Sequence, residues 1–190
     1  LPRREIVSGL GEVVKHAVIR DADMFADLER DIDALSDLQA TSETWVRLIA
    51  RNCGIKAAVV AEDERESGIR AILNYGHTAA HAIESLGHYD RYHHGEAVLY
   101  GMLIAGELAR VRGMWTQDEA ARQSALVRRL IETTSPEDYS VAEVWQKMLS
   151  DKKVVAGTVR FVLPTRIGDA RIVGDVSFDE FASAWASMIS

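Results

Sequence analysis

The chain has 190 residues, of which 47% are apolar, and it carries a formal charge of −7 with a pI near 5.4. This length suits one compact domain, and the acidic balance argues against a general binder of nucleic acid. A single cysteine, Cys53, excludes an internal disulfide, and no apolar run approaches the roughly 20 residues that span a bilayer, so we expect a cytoplasmic protein without nucleic-acid or membrane partners.

The predicted elements, in chain order, are helices interrupted by one hairpin. Apolar residues recur at helical spacing in segments that predict helices over 8–19, 24–35, 41–61, 74–86, 93–112, 117–131, 141–149 and 178–189. Segments 158–164 and 170–173 are typical of short strands that turn at Gly168. Ser8 is the predicted N-cap of the first helix, and Gly87 is the predicted C-cap of the fourth. The sequence therefore predicts a mainly α fold, one helical domain over 1–190 with a small β-hairpin.

Two of these helices also carry predictions about burial. The segment 93–112 is rich in Ala, Leu, Met and Gly with few charges before its end, so we expect a central helix that is buried on most sides. The helical period of segment 41–61 predicts an inward face that carries Trp45, Leu48, Ile49, Cys53 and Val60.

Histidines are concentrated in one short stretch. Five of the six lie between His77 and His94. The four-residue spacing of His77 and His81 places both imidazoles on one helix face, and His93 and His94 lie at the start of the next helix. Imidazoles with a carboxylate such as that of Glu12 are ligands for a divalent metal, and a catalytic site uses three protein ligands. Paired histidines also serve as caps or core hydrogen-bonding groups, so spacing alone leaves both interpretations open.

Several cations stand in unusual places. Lys15 follows Glu12 by one helical turn, and Lys56 interrupts an otherwise apolar run. A lysine in such a run either extends its ammonium to the surface or faces an anionic ligand in a cleft, because burial of an unpaired charge is costly. The adjacent Lys152 and Lys153 are, taken alone, typical of a solvated turn.

Read together, five segments resemble the 3-dehydroquinate synthase family. They are Ser8-Gly-Leu-Gly-Glu-Val-Val-Lys15, Asp63-Glu-Arg-Glu-Ser-Gly-Ile-Arg70, Leu73-Asn-Tyr-Gly-His-Thr-Ala-Ala-His-Ala-Ile-Glu84, His94-Gly-Glu-Ala-Val98 with Gly101-Met102, and Asp151-Lys-Lys153 followed by Phe161-Val-Leu-Pro164 and Ile167-Gly168. Their order and spacing match the family throughout, so the resemblance implies the helical C-terminal domain of the dehydroquinate synthase-like fold.

The resemblance also implies a role for individual residues. It assigns a zinc or cobalt ion to Glu12, His77 and His94, and the latter is chosen over His93 because it directly precedes Gly-Glu-Ala-Val. It makes His81 a catalytic proton carrier. The remaining positions match family residues that act on or bind the substrate: Lys15 and Asn74 as catalytic residues, and Lys56, Arg70 and at least one of Lys152 and Lys153 as substrate-binding residues.

The activity that the resemblance implies belongs to a longer enzyme. Such an enzyme uses bound NAD to convert 3-deoxy-arabino-heptulosonate 7-phosphate, a small phosphorylated sugar acid, into 3-dehydroquinate and phosphate in the shikimate pathway. No strand followed by Gly-x-Gly-x-x-Gly occurs in this chain. We therefore expect a C-terminal fragment or one half of a split enzyme, inactive alone, whose missing NAD-binding domain is supplied in cis or in trans. A homodimer is a further expectation, since family members are commonly dimeric.

Three alternatives remain open at this point. Another sugar-phosphate cyclase, of the valiolone or inosose synthase type, would keep the metal ligands and change the substrate contacts. Metal-dependent glycerol-type dehydrogenases share the two-domain plan but are not expected to show the Asn74–Glu84 string. A non-catalytic helical assembly module could retain the metal ligands without activity.

Overall fold

The computed structural model describes residues 1–63, 68–132, 135–150 and 159–189. Within these ranges the elements are α1 (Arg3–Arg20), α2 (Ala22–Ser36), α3 (Ser42–Glu62), α4 (His77–Leu86), α5 (His94–Val111), α6 (Gln117–Arg128), α7 (Val141–Leu149), β1 (Phe161–Arg166), β2 (Asp169–Val173) and α8 (Phe178–Ile189). Short 3-10 helices at Ile69–Asn74 and Pro136–Asp138 precede α4 and α7. The prediction of a mainly helical fold with one hairpin is confirmed. No helix among the described residues is long and apolar enough to cross a membrane.

Helix α5 forms the centre of the molecule. Every residue from Gly95 to Gly106 is buried, and α1, α4, α6, α8 and β1 all pack against the helix. A helix that is apolar on all sides is expected to be enclosed in this way, because removing each apolar face from water lowers the free energy. The predicted central helix is therefore confirmed.

Glycines let α1 approach α5 at backbone distance. A Cβ added to Gly95 would lie 1.9 Å from the Ser8 carbonyl oxygen, and one added to Gly11 would lie 2.8 Å from the Gly95 carbonyl oxygen. The Gly95 N–H donates to the Ser8 hydroxyl oxygen at 3.0 Å. Because Glu12 follows Gly11 and His94 precedes Gly95, this crossing of α1 and α5 brings two of the predicted metal ligands side by side.

The start of the first helix differs from the prediction. Helix α1 begins at Arg3, and Ser8 lies inside it instead of capping it. The first turn is held by the Arg4 guanidinium, which donates to both carboxylate oxygens of the buried Glu96 at 2.7 and 2.8 Å. This contact comes from a residue far along the chain, so the local signal of a serine before an apolar run was misleading.

The predicted inner face of α3 is only partly correct. Leu48 is buried and Trp45 packs against the core, but Ile49 is 56% exposed and Cys53 is also exposed. Among the described residues α3 packs mainly on α1 and on the 3-10 helix Ile69–Asn74. The apolar face of α3 is wider than the surface that these neighbours bury, so some of its apolar side chains remain exposed.

The hairpin is attached to the first helix. Strands β1 and β2 are antiparallel, with Phe161 opposite Val173, and the tight turn uses Gly168 at a φ of +94°. The Gly168 N–H donates to the Val18 carbonyl at 2.8 Å. The first strand begins at Phe161, later than the predicted 158, and the second begins at Asp169, one residue early. Helix α6 likewise ends at Arg128 instead of at residue 131.

Candidate metal centre

Three helices bring the predicted ligands together. Glu12 lies on α1, and His77 and His94 are the first residues of α4 and α5. One ligand atom from each lies within 4.8 Å of the others. The two Nε2 atoms are 3.2 Å apart, and Glu12 Oε1 lies 3.8 Å from each of them.

The His77 ring is oriented by the backbone just before it. Its Nδ1 lies 3.0 Å from the Tyr75 carbonyl oxygen, which can only accept, so Nδ1 carries the proton and Nε2 has the lone pair. Tyr75 is fully buried, and its hydroxyl donates to the side-chain oxygen of Gln123. Gly76, at a φ of +78°, turns the chain into α4. The His77 ring is therefore anchored to the core.

The His94 ring is oriented by a carboxylate. Its Nδ1 lies 3.2 and 3.3 Å from the two carboxylate oxygens of Glu84, a buried residue near the end of α4. An ionised carboxylate only accepts, so Nδ1 again carries the proton. In their neutral forms both histidines thus direct an Nε2 lone pair into the same space, where a cation would relieve their repulsion.

The two carboxylate oxygens of Glu12 have different neighbours: one contacts Lys15, and the other faces the Nε2 atoms of His77 and His94. Its Oε2 accepts from the Lys15 ammonium at 2.6 Å. Its Oε1 is buried and accepts no hydrogen bond from the described residues. A buried carboxylate oxygen without a hydrogen-bond partner is costly, so this oxygen is well suited to contact a cation.

The donor set fits zinc or cobalt. Tetrahedral ligands at about 2.0–2.1 Å from zinc lie about 3.3 Å from one another. The observed separations of 3.2 and 3.8 Å bracket this value. Two imidazoles and one carboxylate leave a fourth position open, which is typical of catalytic sites.

Burial and neighbouring charges set the protonation of the centre. Burial, and after it the Lys15 ammonium, lowers the pKa of His77 to about 4. The hydrogen bond to Glu84 raises the pKa of His94 above its usual value of 6.5. Burial opposes ionisation of Glu12, but the charge and hydrogen bond of Lys15 outweigh it and lower the carboxyl pKa. Burial lowers the pKa of Lys15 despite its pairing with Glu12.

These directions predict how zinc affinity depends on pH. Below its raised pKa, His94 carries a proton that a metal must displace, whereas His77 and Glu12 remain deprotonated until lower pH. Between about pH 5 and pH 6.5 we expect affinity to fall about tenfold per pH unit as pH decreases, which corresponds to one displaced proton. Competition titrations against a chelator of known pH dependence measure this slope. A zinc affinity that does not change with pH, or one that changes with a slope of two protons, would contradict the assignment of one displaced proton to His94.

The other predicted site residues lie on α3, on α4, in the 3-10 helix before α4, or outside the described ranges. His81 follows His77 by one turn on α4, with its ring centroid 5.5 Å from that of His77 and 6.2 Å from that of His94. Lys56 is exposed on α3, close enough that its charge contributes to lowering the pKa of Lys15. Arg70 and Asn74 lie in the 3-10 helix that leads into α4. Lys152 and Lys153 lie outside the described residues.

His93 is not part of the cluster. Its backbone N–H donates to Glu96 at 2.7 Å, and its ring Nδ1 lies 3.5 Å from a carboxylate oxygen of Glu5. The residue acts as the N-cap of α5. The structure thus places His94, and not its neighbour, beside Glu12 and His77.

Sequence reasoning missed the groups that orient the ligands. Glu84 ends one of the family motifs and has no predicted role of its own, although it lies seven residues after His77 and therefore on the same face of α4. That spacing was a usable signal. The Tyr75 carbonyl and the contact of Ser8 with Gly95 had no such signal, because backbone groups are present at every position.

Comparison with known proteins gives one family. Residues 9–154 match the family described as 3-dehydroquinate synthase C-terminal. A 3-dehydroquinate synthase from Picosynechococcus sp. is 46% identical over 182 residues, which are 94% of this chain and 49% of that protein. One from Rippkaea orientalis is 42% identical over 193 residues, covering 100% of this chain and 52% of that protein. The chain thus spans about half the length of the curated relatives it matches.

Solved structures show the same fold. A 2-epi-5-epi-valiolone synthase from Streptomyces hygroscopicus subsp. jinggangensis, with NAD+ and Zn2+ bound, superposes with a TM-score of 0.88 at 25% identity, over 99% of this chain and 52% of that one. A 2-deoxy-scyllo-inosose synthase, complexed with carbaglucose-6-phosphate, NAD+ and Co2+, gives a TM-score of 0.81 at 20% identity, over 98% of this chain and 52% of that one. The second likeness concerns the fold alone.

Proposed function

This chain belongs to the 3-dehydroquinate synthase C-terminal family, and we therefore propose that it is the metal- and substrate-binding half of a 3-dehydroquinate synthase. The observation that carries the proposal is the convergence of Glu12, His77 and His94 with a buried carboxylate oxygen that has no hydrogen-bond partner among the described residues. The parent enzyme would convert 3-deoxy-arabino-heptulosonate 7-phosphate into 3-dehydroquinate and phosphate, which makes it a phosphate-eliminating lyase of the shikimate pathway.

A metal held by these three residues would supply Lewis-acid polarisation of substrate oxygens. The chain's own residues would bind and orient the substrate. Lys56, Arg70 and at least one of Lys152 and Lys153 would hold the carboxylate and the phosphate, for which an arginine fork and lysine ammoniums are suited. These positive charges would make the site attractive to an anion, although the chain as a whole is acidic.

Proton movement would fall to His81, with Lys15 and Asn74 as further catalytic residues. The His81 ring lies close to both histidine ligands, so it can reach a hydroxyl of a substrate bound at the centre. An imidazole is the side chain best suited to take up and return a proton near neutral pH. Lys15 holds Glu12 in its ionised form through the 2.6 Å contact, and Asn74 would orient a substrate hydroxyl.

Hydride transfer would need a second part of the enzyme. The chain would receive NAD from a nucleotide-binding half, joined to it or supplied separately, and would be inactive without that half. Two observations support this division: the chain covers 49% of the Picosynechococcus relative, and it covers 52% of a solved synthase whose structure contains NAD+.

The first test is metal content. Purified chain loaded with zinc should contain about one ion per chain by elemental analysis, and His94→Ala should lose it. His93→Ala is the matched control, since His93 is the N-cap just before His94 but lies outside the cluster, and it should retain the ion. Equal loss in both variants, or no metal in the wild type, would sink the ligand assignment and favour a non-catalytic helical module.

A second test addresses the substrate. The zinc-loaded chain should bind 3-deoxy-arabino-heptulosonate 7-phosphate more tightly than a phosphorylated sugar of similar length without a carboxylate, as measured by calorimetry. Lys56→Gln should lower the affinity for the sugar acid by about 5–30-fold, since one charge-assisted hydrogen bond contributes about 1–2 kcal/mol. Equal affinity for both ligands would favour another sugar-phosphate cyclase.

A further inference from the structure

We infer that Glu84 is a positioning residue for the metal centre, which fixes the His94 ring with its Nε2 directed at Glu12 and His77. The inference rests on the proposed metal site and names a residue outside its ligand set. Its basis is the pair of contacts, 3.2 and 3.3 Å, between His94 Nδ1 and the Glu84 carboxylate oxygens.

The two histidine ligands differ in how much the fold restrains them. The His77 side chain is 12% exposed and bonded to the backbone carbonyl of a buried residue. The His94 side chain is 45% exposed, so packing by itself leaves its ring room to rotate. The carboxylate therefore supplies for His94 the orientation that burial supplies for His77.

Glu84 is itself well fixed. It lies on α4 seven residues after His77, and the α4 residues around it, Ala80, Ala82 and Ile83, are buried. One rigid helix thus carries a ligand at its first residue and the acceptor for a second ligand two turns later. Any position of α4 that places His77 correctly also places the carboxylate correctly for His94.

The chemistry favours a carboxylate at this place. An ionised carboxylate has no proton to donate, so it selects the imidazole form with hydrogen on Nδ1 and the lone pair on Nε2. A carboxylate behind a ligating histidine also increases the basicity of the nitrogen that faces the metal. Loss of such a partner typically weakens metal binding by about 10–100-fold.

The chain contains its own matched control. Glu5 faces His93, the residue next to His94, with 3.5 Å between the carboxylate oxygen and Nδ1. This second carboxylate and histidine pair joins α1 to the N-cap of α5 but does not contribute to the metal cluster. Glu5→Gln therefore removes an equivalent charge nearby without touching the proposed function of Glu84.

The test compares zinc affinity in the wild type, Glu84→Gln, Glu84→Ala and Glu5→Gln, by competition with a chelator at a fixed pH. We expect the two Glu84 variants to bind zinc about 10–100-fold more weakly, with Glu84→Ala at the larger end, and Glu5→Gln to match the wild type. Equal affinity in all four proteins would overturn the inference while leaving the metal site intact. If the wild type binds no zinc, the site and the inference fail together.

A second measurement separates orientation from general damage to the fold. Proton–nitrogen NMR of the metal-free chain, at a pH where the imidazoles are neutral, reports which ring nitrogen is protonated. We expect Glu84→Gln to remove the preference of His94 for Nδ1–H and to leave that of His77 unchanged. Weaker zinc binding with unchanged His94 protonation and a lowered unfolding midpoint would assign the effect to lost packing and overturn the inference.

Discussion

Replacement of Gly95 by Ala is expected to abolish tight zinc binding and to lower the free energy of unfolding by about 3 kcal/mol. The new Cβ would lie 1.9 Å from the Ser8 carbonyl oxygen, which is a backbone atom that no rotamer change can move. Helices α1 and α5 would have to separate, and Glu12 would move away from His94. Urea unfolding and chelator competition measure the two effects.

The control for this prediction lies on α1, outside its contact with α5. Gly9 is exposed on α1, and a Cβ added there would meet nothing within 4 Å. Gly9→Ala should therefore stabilise the chain by about 0.5–1 kcal/mol, because alanine loses less backbone entropy in a helix, and should leave zinc affinity unchanged. Tight zinc binding in Gly95→Ala would show that the close crossing of α1 and α5 is not what assembles the site.

Glu12→Gln is the second substitution with a large expected effect. It removes a metal ligand, and it leaves the ammonium of Lys15, whose side chain is only 4% exposed, without its partner. We expect loss of stoichiometric zinc and destabilisation of the metal-free chain by about 2 kcal/mol. This is less than the roughly 3–5 kcal/mol of a fully buried pair, because the Glu12 side chain is one-third exposed.

A double variant distinguishes these two consequences. Glu12→Gln with Lys15→Met removes both charges, so the metal-free chain should regain most of the lost stability, while zinc should still not bind. Thermal unfolding without metal and elemental analysis after zinc loading give the two readouts. If the double variant is as unstable as Glu12→Gln, the pairing with Lys15 is not the source of the destabilisation.

Prediction of the fold from sequence succeeded within helices and failed where elements distant in sequence meet. Helix α7 and the centre of α5 were predicted because apolar periodicity is a property of neighbouring residues. The same local information failed at the N-terminus of α1, where Arg4 reaches Glu96, and on α3, where Ile49 stays exposed. Both outcomes depend on elements that are distant in sequence.

By itself, the sequence determined the helical class, the family and the three residues that could ligate a metal, because period and motif spacing are written along the chain. Only the tertiary structure decided that a glycine crossing brings α1 against α5 and that Glu84 stands behind one ligand. The physical reason is that hydrogen-bond direction and backbone distance are set by packing between helices, which no local pattern encodes.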